Sequence, residues 1–132
     1  MSNPHFQKVR NYLQDLGYDA SNANVEAHTV LVTDENKGLN NLIVDCEDNL
    51  LVIEQYICNV SKSDTNALLR LLQMNRTLIH GAFVINEEAT RIIFRDTLQL
   101  ENLDLNELDA SLNALSLALA ENAGELLAFS KN

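Results

Sequence analysis

Three strand-type runs follow one another between residues 27 and 58, with only short polar segments between them. The runs 27–33, 42–47 and 50–58 are rich in β-branched and other apolar residues, which favour extended strands. Connections as short as these join neighbouring strands that run in opposite directions. The chain is therefore predicted to contain an antiparallel meander of three strands, around which its other elements must pack.

The third run contains four consecutive apolar residues, 50–53, where a half-exposed strand would alternate apolar and polar side chains. An unbroken apolar run is typical of a strand that is covered on both faces. We therefore expect something to pack on each side of the sheet at this point. The carboxylates of Asp45, Glu47 and Glu54 are expected to face solvent from the same strands.

A first helix is predicted before the meander. Asn3 can cap it, Pro4 fits its first turn, and Gly17 ends it. Its apolar residues repeat with helical spacing and share about a third of the helix circumference. They are Phe6, Val9, Tyr12, Leu13 and Leu16.

A second helix is predicted after the meander. Ser61, Ser63 and Asp64 are all possible N-caps for it, and it continues to about Thr77. Its apolar side chains spread over about 160°, or about 220° if Leu69 is counted, whereas one buried face needs only about 100°. This helix is therefore predicted to make a second contact besides the one with its own core.

The remaining chain predicts a second hairpin and a long third helix. Strands are expected at 81–85 and 91–95, and Asp104 with Glu107 resembles a capping box at the start of the helix. The apolar stripe of this helix consists of Leu105, Leu108, Leu112, Leu115, Leu119, Ala123 and Leu126. Because the stripe covers only about three heptads and Asn122 interrupts it, packing on the sheet is favoured over a coiled coil.

All 132 residues are assigned to a single α+β domain, residues 1–132, with the element order α-βββ-α-ββ-α and an antiparallel five-stranded sheet packed with helices.

The formal charge of −10 would repel a nucleic-acid backbone. No signal peptide and no membrane-length apolar run are apparent, so a cytoplasmic location is expected. Cys46 and Cys58 lie in apolar runs and are expected to be buried, reduced thiols.

No motif for catalysis, metal binding or cofactor binding is apparent. His5, His28 and His80 have no metal-ligand spacing, and the four glycines are too dispersed for a phosphate-binding loop. The chain is therefore expected not to be an enzyme and to need neither metal nor cofactor. Its arginines are expected to pair mainly with its own surplus carboxylates, although Arg91 and Arg95 could instead clasp a carboxylate of a partner.

The element order resembles that of the type III secretion chaperone-like fold, which Tir-type secretion chaperones and YbjN-like bacterial proteins share. The resemblance covers nearly the whole chain. Its most specific parts are a leucine-rich helix, the last hairpin and a Leu-Asp entry into the final helix. These parts are the segments 66–75, 81–85, 91–96 and 103–108.

The resemblance implies a bacterial homodimer that binds an extended segment of another protein through apolar patches, without ATP. Applied to this chain, it assigns two groups of residues. The residues expected to bind the partner protein are Phe6, Val9, Tyr12 and Leu13. The residues expected to form the dimer contact are Leu68, Leu69, Leu72, Gln73 and Arg76.

Four alternatives stay open at this stage, one of which is an enzyme whose site is assembled from distant loops. The surplus apolar residues could instead complete the domain's own core and leave a monomer with no client patch. The chain could be a small-molecule sensor that holds an apolar ligand on the sheet face under the helices. Within the leading hypothesis, a secretion chaperone and a YbjN-like regulator are equally compatible with the residues.

Overall fold

Three helices and six strands make up the part of the chain that the computed structural model describes, residues 3–131. A single turn of 3₁₀ helix, Glu35–Lys37, joins the second strand to the third. The elements are α1 (Phe6–Asp15), β1 (Ala23–Asn24), β2 (Thr29–Asp34), β3 (Leu39–Glu47), β4 (Leu50–Asn59), α2 (Thr65–Asn75), β5 (Ala82–Ile85), β6 (Arg91–Gln99) and α3 (Leu105–Phe129).

The strands form one antiparallel sheet in the order β1-β2-β3-β4-β6-β5. The predicted fold class is confirmed, but the described sheet has six strands, not five. The additional strand is β1, in which Ala23 pairs with Val30 and Asn24 pairs with Thr29. A strand of two residues is too short to show alternation, and for this reason its polar sequence predicted a loop.

Alternation of side chains along the strands divides the sheet into two faces. We call one the covered face; it carries Val30, Val32, Leu42, Val44, Cys46, Leu51, Ile53, Gln55, Cys58, Ile92, Phe94 and Asp96. We call the other the open face; it carries Leu31, Ile43, Asp45, Glu47, Leu50, Val52, Glu54, Tyr56, Ile93 and Arg95.

All three helices pack on the covered face. Leu13 of α1, Leu71 of α2 and Leu112 of α3 belong to the same buried cluster as Leu51 and Ile53 of β4. Within residues 3–131, no open-face residue belongs to that cluster. The described residues therefore form one core, on one side of the sheet.

The expectation that residues 50–53 are covered on both faces is wrong. Leu50 is 47% exposed, and no helix of the described chain packs over the open face. Val52 is nevertheless only 8% exposed, because it lies between the side chains of neighbouring open-face positions such as Asp45 and Glu54. Its apolar side chain is shielded by stems of charged residues instead of by a second layer.

The long helix α3 is fixed to the sheet by an apolar stripe and by one polar contact. Asp104 caps it, since its Oδ1 accepts a hydrogen bond from the Glu107 amide at 2.8 Å. Leu108 and Leu112 are fully buried on the covered face. The buried Ser111 hydroxyl donates to Asp96 Oδ2 at 2.7 Å and so joins the helix to β6.

Candidate functional site

The apolar face of α1 is used by the core. Phe6, Val9 and Leu13 are buried, and the half-buried Tyr12 donates its hydroxyl proton to the Leu103 carbonyl at 3.3 Å. A partner could reach the three buried side chains only if α1 moved away from the sheet. In the part of the chain that the structure describes, these residues serve the core, and their role in binding a client stays a prediction.

Helix α2 differs because it carries leucines on two opposite sides. Ala67, Leu71 and Met74 face the core, as their spacing requires. The residues predicted for the dimer contact lie on the side of α2 that points away from the core. Leu68 is half-buried, and Leu69, Leu72, Gln73 and Arg76 are exposed. Leu69 is 56% exposed and Leu72 is 69% exposed, so the wide apolar arc leaves surface that the core does not use.

A groove of about 440 Å³ lies between α2 and the edge strand β5. It is lined by Leu68, Leu71, Leu72, Asn75, Ala82, Phe83, Val84 and Ile85. We call it the α2/β5 groove. Asn75 holds its two walls together, because its side-chain amide donates to the Phe83 carbonyl at 3.1 Å and accepts from the Phe83 amide at 2.8 Å. This also occupies the edge of β5 at Phe83, where another strand would otherwise pair.

Arg70, Arg91 and Arg95 contact residues of their own chain. Arg70 of α2 makes two hydrogen bonds to the Glu125 carboxylate of α3, at 2.8 and 3.0 Å. Arg95 forms an ion pair with Glu54 across β4 and β6, and the Arg91 guanidinium lies 5.6 Å from the centre of the Tyr56 ring. These contacts agree with pairing inside the domain.

The open face contains a notch of about 210 Å³, lined by Ile43, Asp45, Glu47, Val52, Glu54 and Arg95. The pKa of Asp45 is raised to about 6, first by burial and then by a hydrogen bond with Glu47 and the charges of Glu47 and Glu54. The nearby His28 acts in the opposite direction on the same pKa. The notch therefore concentrates negative charge over an apolar floor.

Metal ligands and activated nucleophiles are two kinds of group that a catalytic centre can use. Across residues 3–131, no group of three or more His, Cys, Asp and Glu side chains could hold a metal ion. Burial raises the pKa of the Cys46 thiol to about 12, and the Cys58 thiol donates to the Leu126 carbonyl at 3.3 Å. Both are therefore poor nucleophiles. None of the helices described is both long and apolar enough to cross a membrane.

Sequence comparison decides the family. A family model described as CesT_Tir_1 matches residues 2–132, which is nearly the entire chain. The chain belongs to the CesT_Tir_1 family. No curated protein matches it in sequence.

Solved structures share the fold of this CesT_Tir_1 protein at low sequence identity. YbjN from E. coli has a TM-score of 0.71 and 12% identity, with 92% of this chain and 93% of that chain covered. A chain of the ExoU-SpcU complex from the type III secretion system of Pseudomonas aeruginosa has a TM-score of 0.64 and 17% identity, with 92% and 97% covered. A chain of the HopA1-SchA chaperone-effector complex has a TM-score of 0.61 and 11% identity, with 96% and 94% covered.

Membership in the CesT_Tir_1 family confirms the predicted resemblance to type III secretion chaperones and supports a chaperone-like, protein-binding role.

The notch of the open face was missed by sequence reasoning. Asp45, Glu47 and Glu54 were correctly predicted to lie on the solvent-facing side of the strands. That Glu54 lies beside the other two follows from the pairing of Ile43 with Glu54, and that register was not predicted from the sequence.

Proposed function

We propose that this protein is a non-catalytic, chaperone-like adaptor that pairs with a second copy through α2 and binds a segment of a partner protein. The observation that carries the proposal is the outward side of α2, where Leu69 and Leu72 are exposed beside the α2/β5 groove. Exposed leucines next to an apolar groove are typical of an interaction surface.

A second copy can occupy the α2/β5 groove because α2 lacks the negative charge that covers most of the chain. Nineteen acidic and nine basic side chains make most surfaces of two copies repel each other. Helix α2 itself contains no Asp or Glu between Thr65 and Asn75, and it carries Arg70. Two copies can therefore approach each other along α2 without bringing carboxylates of the two helices together.

The contact would be two-fold symmetric, so that each α2 places its leucines against the groove of the other copy. Full burial of a leucine side chain contributes about 1.5 to 3 kcal/mol. In a two-fold contact each leucine is buried once in each copy, so its contribution is doubled. Gln73 and Arg76, at the rim of the exposed side, can then form polar contacts around an apolar centre.

Light scattering across a dilution series tests the pairing. The wild type is expected to have twice the 14.8 kDa mass of one chain and to dissociate on dilution. Leu72→Glu should give monomers with an unchanged circular dichroism spectrum, because the charge cannot be buried in the contact. Val25→Glu is the matched control, since Val25 is 63% exposed in the turn after β1, and it should stay dimeric. A wild type that is monomeric at every concentration would contradict the proposed pairing through α2.

Partner binding is tested separately with a displayed library of random linear peptides. Selected peptides are expected to bind the purified protein saturably in fluorescence anisotropy, whether or not the Leu72→Glu change is present. Failure to select any saturable binder would contradict an adaptor that binds extended segments. Family membership and the chaperone-effector complex HopA1-SchA support this role, and a regulator that binds a protein partner would give the same result.

A further inference from the structure

The open face has more apolar surface than a solvated sheet face requires. Antiparallel sheets that face water on one side usually alternate apolar and polar residues, with the polar ones outside. Here Ile43, Leu50 and Tyr56 are exposed on the outside of the two central strands. Val52 lies between them as the buried floor of the notch. In the described chain nothing packs over these side chains, so this sheet face lacks a partner.

The charges on this face are not balanced. Arg95 pairs with Glu54, whereas Asp45 and Glu47 have no Lys or Arg within ion-pair distance in residues 3–131. The charges of Glu47 and Glu54 both raise the pKa of Asp45. An added cation would therefore relieve repulsion that the free chain contains.

The charges also exclude other occupants. Two copies of this chain stacked face to face would bring two sets of the same three carboxylates together, which costs free energy through repulsion. Nucleic acid and anionic lipid surfaces are repelled for the same reason. A segment with apolar and basic side chains fits both the apolar floor and the unbalanced charge.

We propose that the open face binds an extended segment of a partner protein in which a Lys or Arg side chain stands beside apolar residues. The cationic group lies in the notch between Asp45 and Glu47, and its aliphatic stem contacts Val52 and Ile43. The apolar neighbours in the segment contact Leu50 and Tyr56. This inference rests on the proposed adaptor function and gives its partner a place and a chemistry.

The peptides selected from the random library provide the probe. Compared with the unselected library, they are expected to be enriched in Lys or Arg flanked by apolar residues. Binding of the best peptide should weaken about tenfold, equivalent to about 1.4 kcal/mol, in the double variant Asp45→Asn with Glu47→Gln. It should also weaken as salt is added, because an ion pair on a partly exposed surface is screened. Gln99→Asn is the matched control on the rim of the face, exposed at the end of β6.

Amide chemical shifts of the ¹⁵N-labelled protein locate the bound peptide. Shifts confined to β3, β4 and β6 would support the proposal, provided that thermal melting shows both variants to be folded. Binding peptides without basic enrichment, or with shifts that map to the α2/β5 groove, would overturn this inference while leaving the adaptor function intact. A library with no binders at all would contradict both.

Discussion

Ile53 and Val52 are consecutive residues of β4 that point to opposite faces of the sheet, and both are buried. Ile53 lies in the core under the helices, whereas Val52 is outside that core and pairs across the sheet with Asp45 and Thr97. Ile53 is enclosed by apolar atoms of the chain's own helices. Val52 is enclosed by the stems of polar and charged residues that another molecule could displace.

Low solvent exposure therefore has two different structural causes within the single strand β4. On the covered face it marks a completed core, and on the open face it marks the floor of a surface that we propose a partner completes. The unbroken run 50–53 reflects both. Substitutions that treat the two faces separately should therefore have different effects on stability and on binding.

The largest effect is expected from shortening the two neighbouring side chains. Ile53→Ala should lower the free energy of unfolding by about 2 to 5 kcal/mol, because it leaves a cavity in close-packed surroundings. Val52→Ala removes two methyl groups from a site that can relax, and should cost only about 1 to 2 kcal/mol. Urea denaturation followed by circular dichroism measures both. Equal losses would show that Val52 belongs to a closed core, and the comparison of the faces would fail.

Much of the fold could be predicted because its elements have strong local signals. The apolar stripe of α3 and its capping residue Asp104 follow directly from spacing and chemistry. β1 was missed because its two residues pair with β2 through backbone hydrogen bonds and not through a side-chain pattern. The client residues on α1 were assigned by resemblance; Phe6, Val9 and Leu13 lie in the core, and their role in binding stays a prediction.

The surfaces could be predicted only in part. The outward leucines of α2 were found because helical periodicity depends on sequence alone, and an arc wider than one face indicates a second contact. The notch could not be found because it depends on which residues oppose each other across β3, β4 and β6. A shift of register by one residue would move Glu54 and Arg95 to the covered face.

A smaller difference in stability is expected between loss of the Ser111–Asp96 hydrogen bond on the covered face and loss of the Arg95–Glu54 ion pair on the open face. Ser111→Ala should cost about 1 to 2 kcal/mol, because Ser111 is fully buried and its loss removes the hydrogen bond to the Asp96 carboxylate. Arg95→Ala should cost no more than about 1 kcal/mol, since its ion pair with Glu54 is partly exposed. Urea denaturation of the two variants in parallel measures the contrast. A larger loss for Arg95→Ala would mean that the open face, too, contributes substantially to stability.

The smallest effect is a pH dependence that belongs to the open face. Burial and the neighbouring Glu47 and Glu54 raise the pKa of Asp45 from 3.8 to about 6 in the folded chain, and His28 opposes this shift. Because the folded chain holds this proton more tightly than the unfolded chain does, protonation of Asp45 stabilises the fold. That stabilisation is complete below pH 3.8 and is lost as the pH rises through about 6.

Asp45→Asn removes this titration, so the wild type should lose stability relative to the variant between these pH values. The difference should be on the order of 1 kcal/mol, since solvent screens a partly exposed carboxyl. Glu47, Glu54, His28 and Arg95 are present in both proteins, so comparing urea denaturation of the two at each pH isolates the contribution of Asp45. A difference that does not change with pH would show that Asp45 is not crowded by its neighbours. A bound basic peptide should reduce the pH dependence, because an adjacent cation favours the ionised carboxylate and lowers the pKa of Asp45.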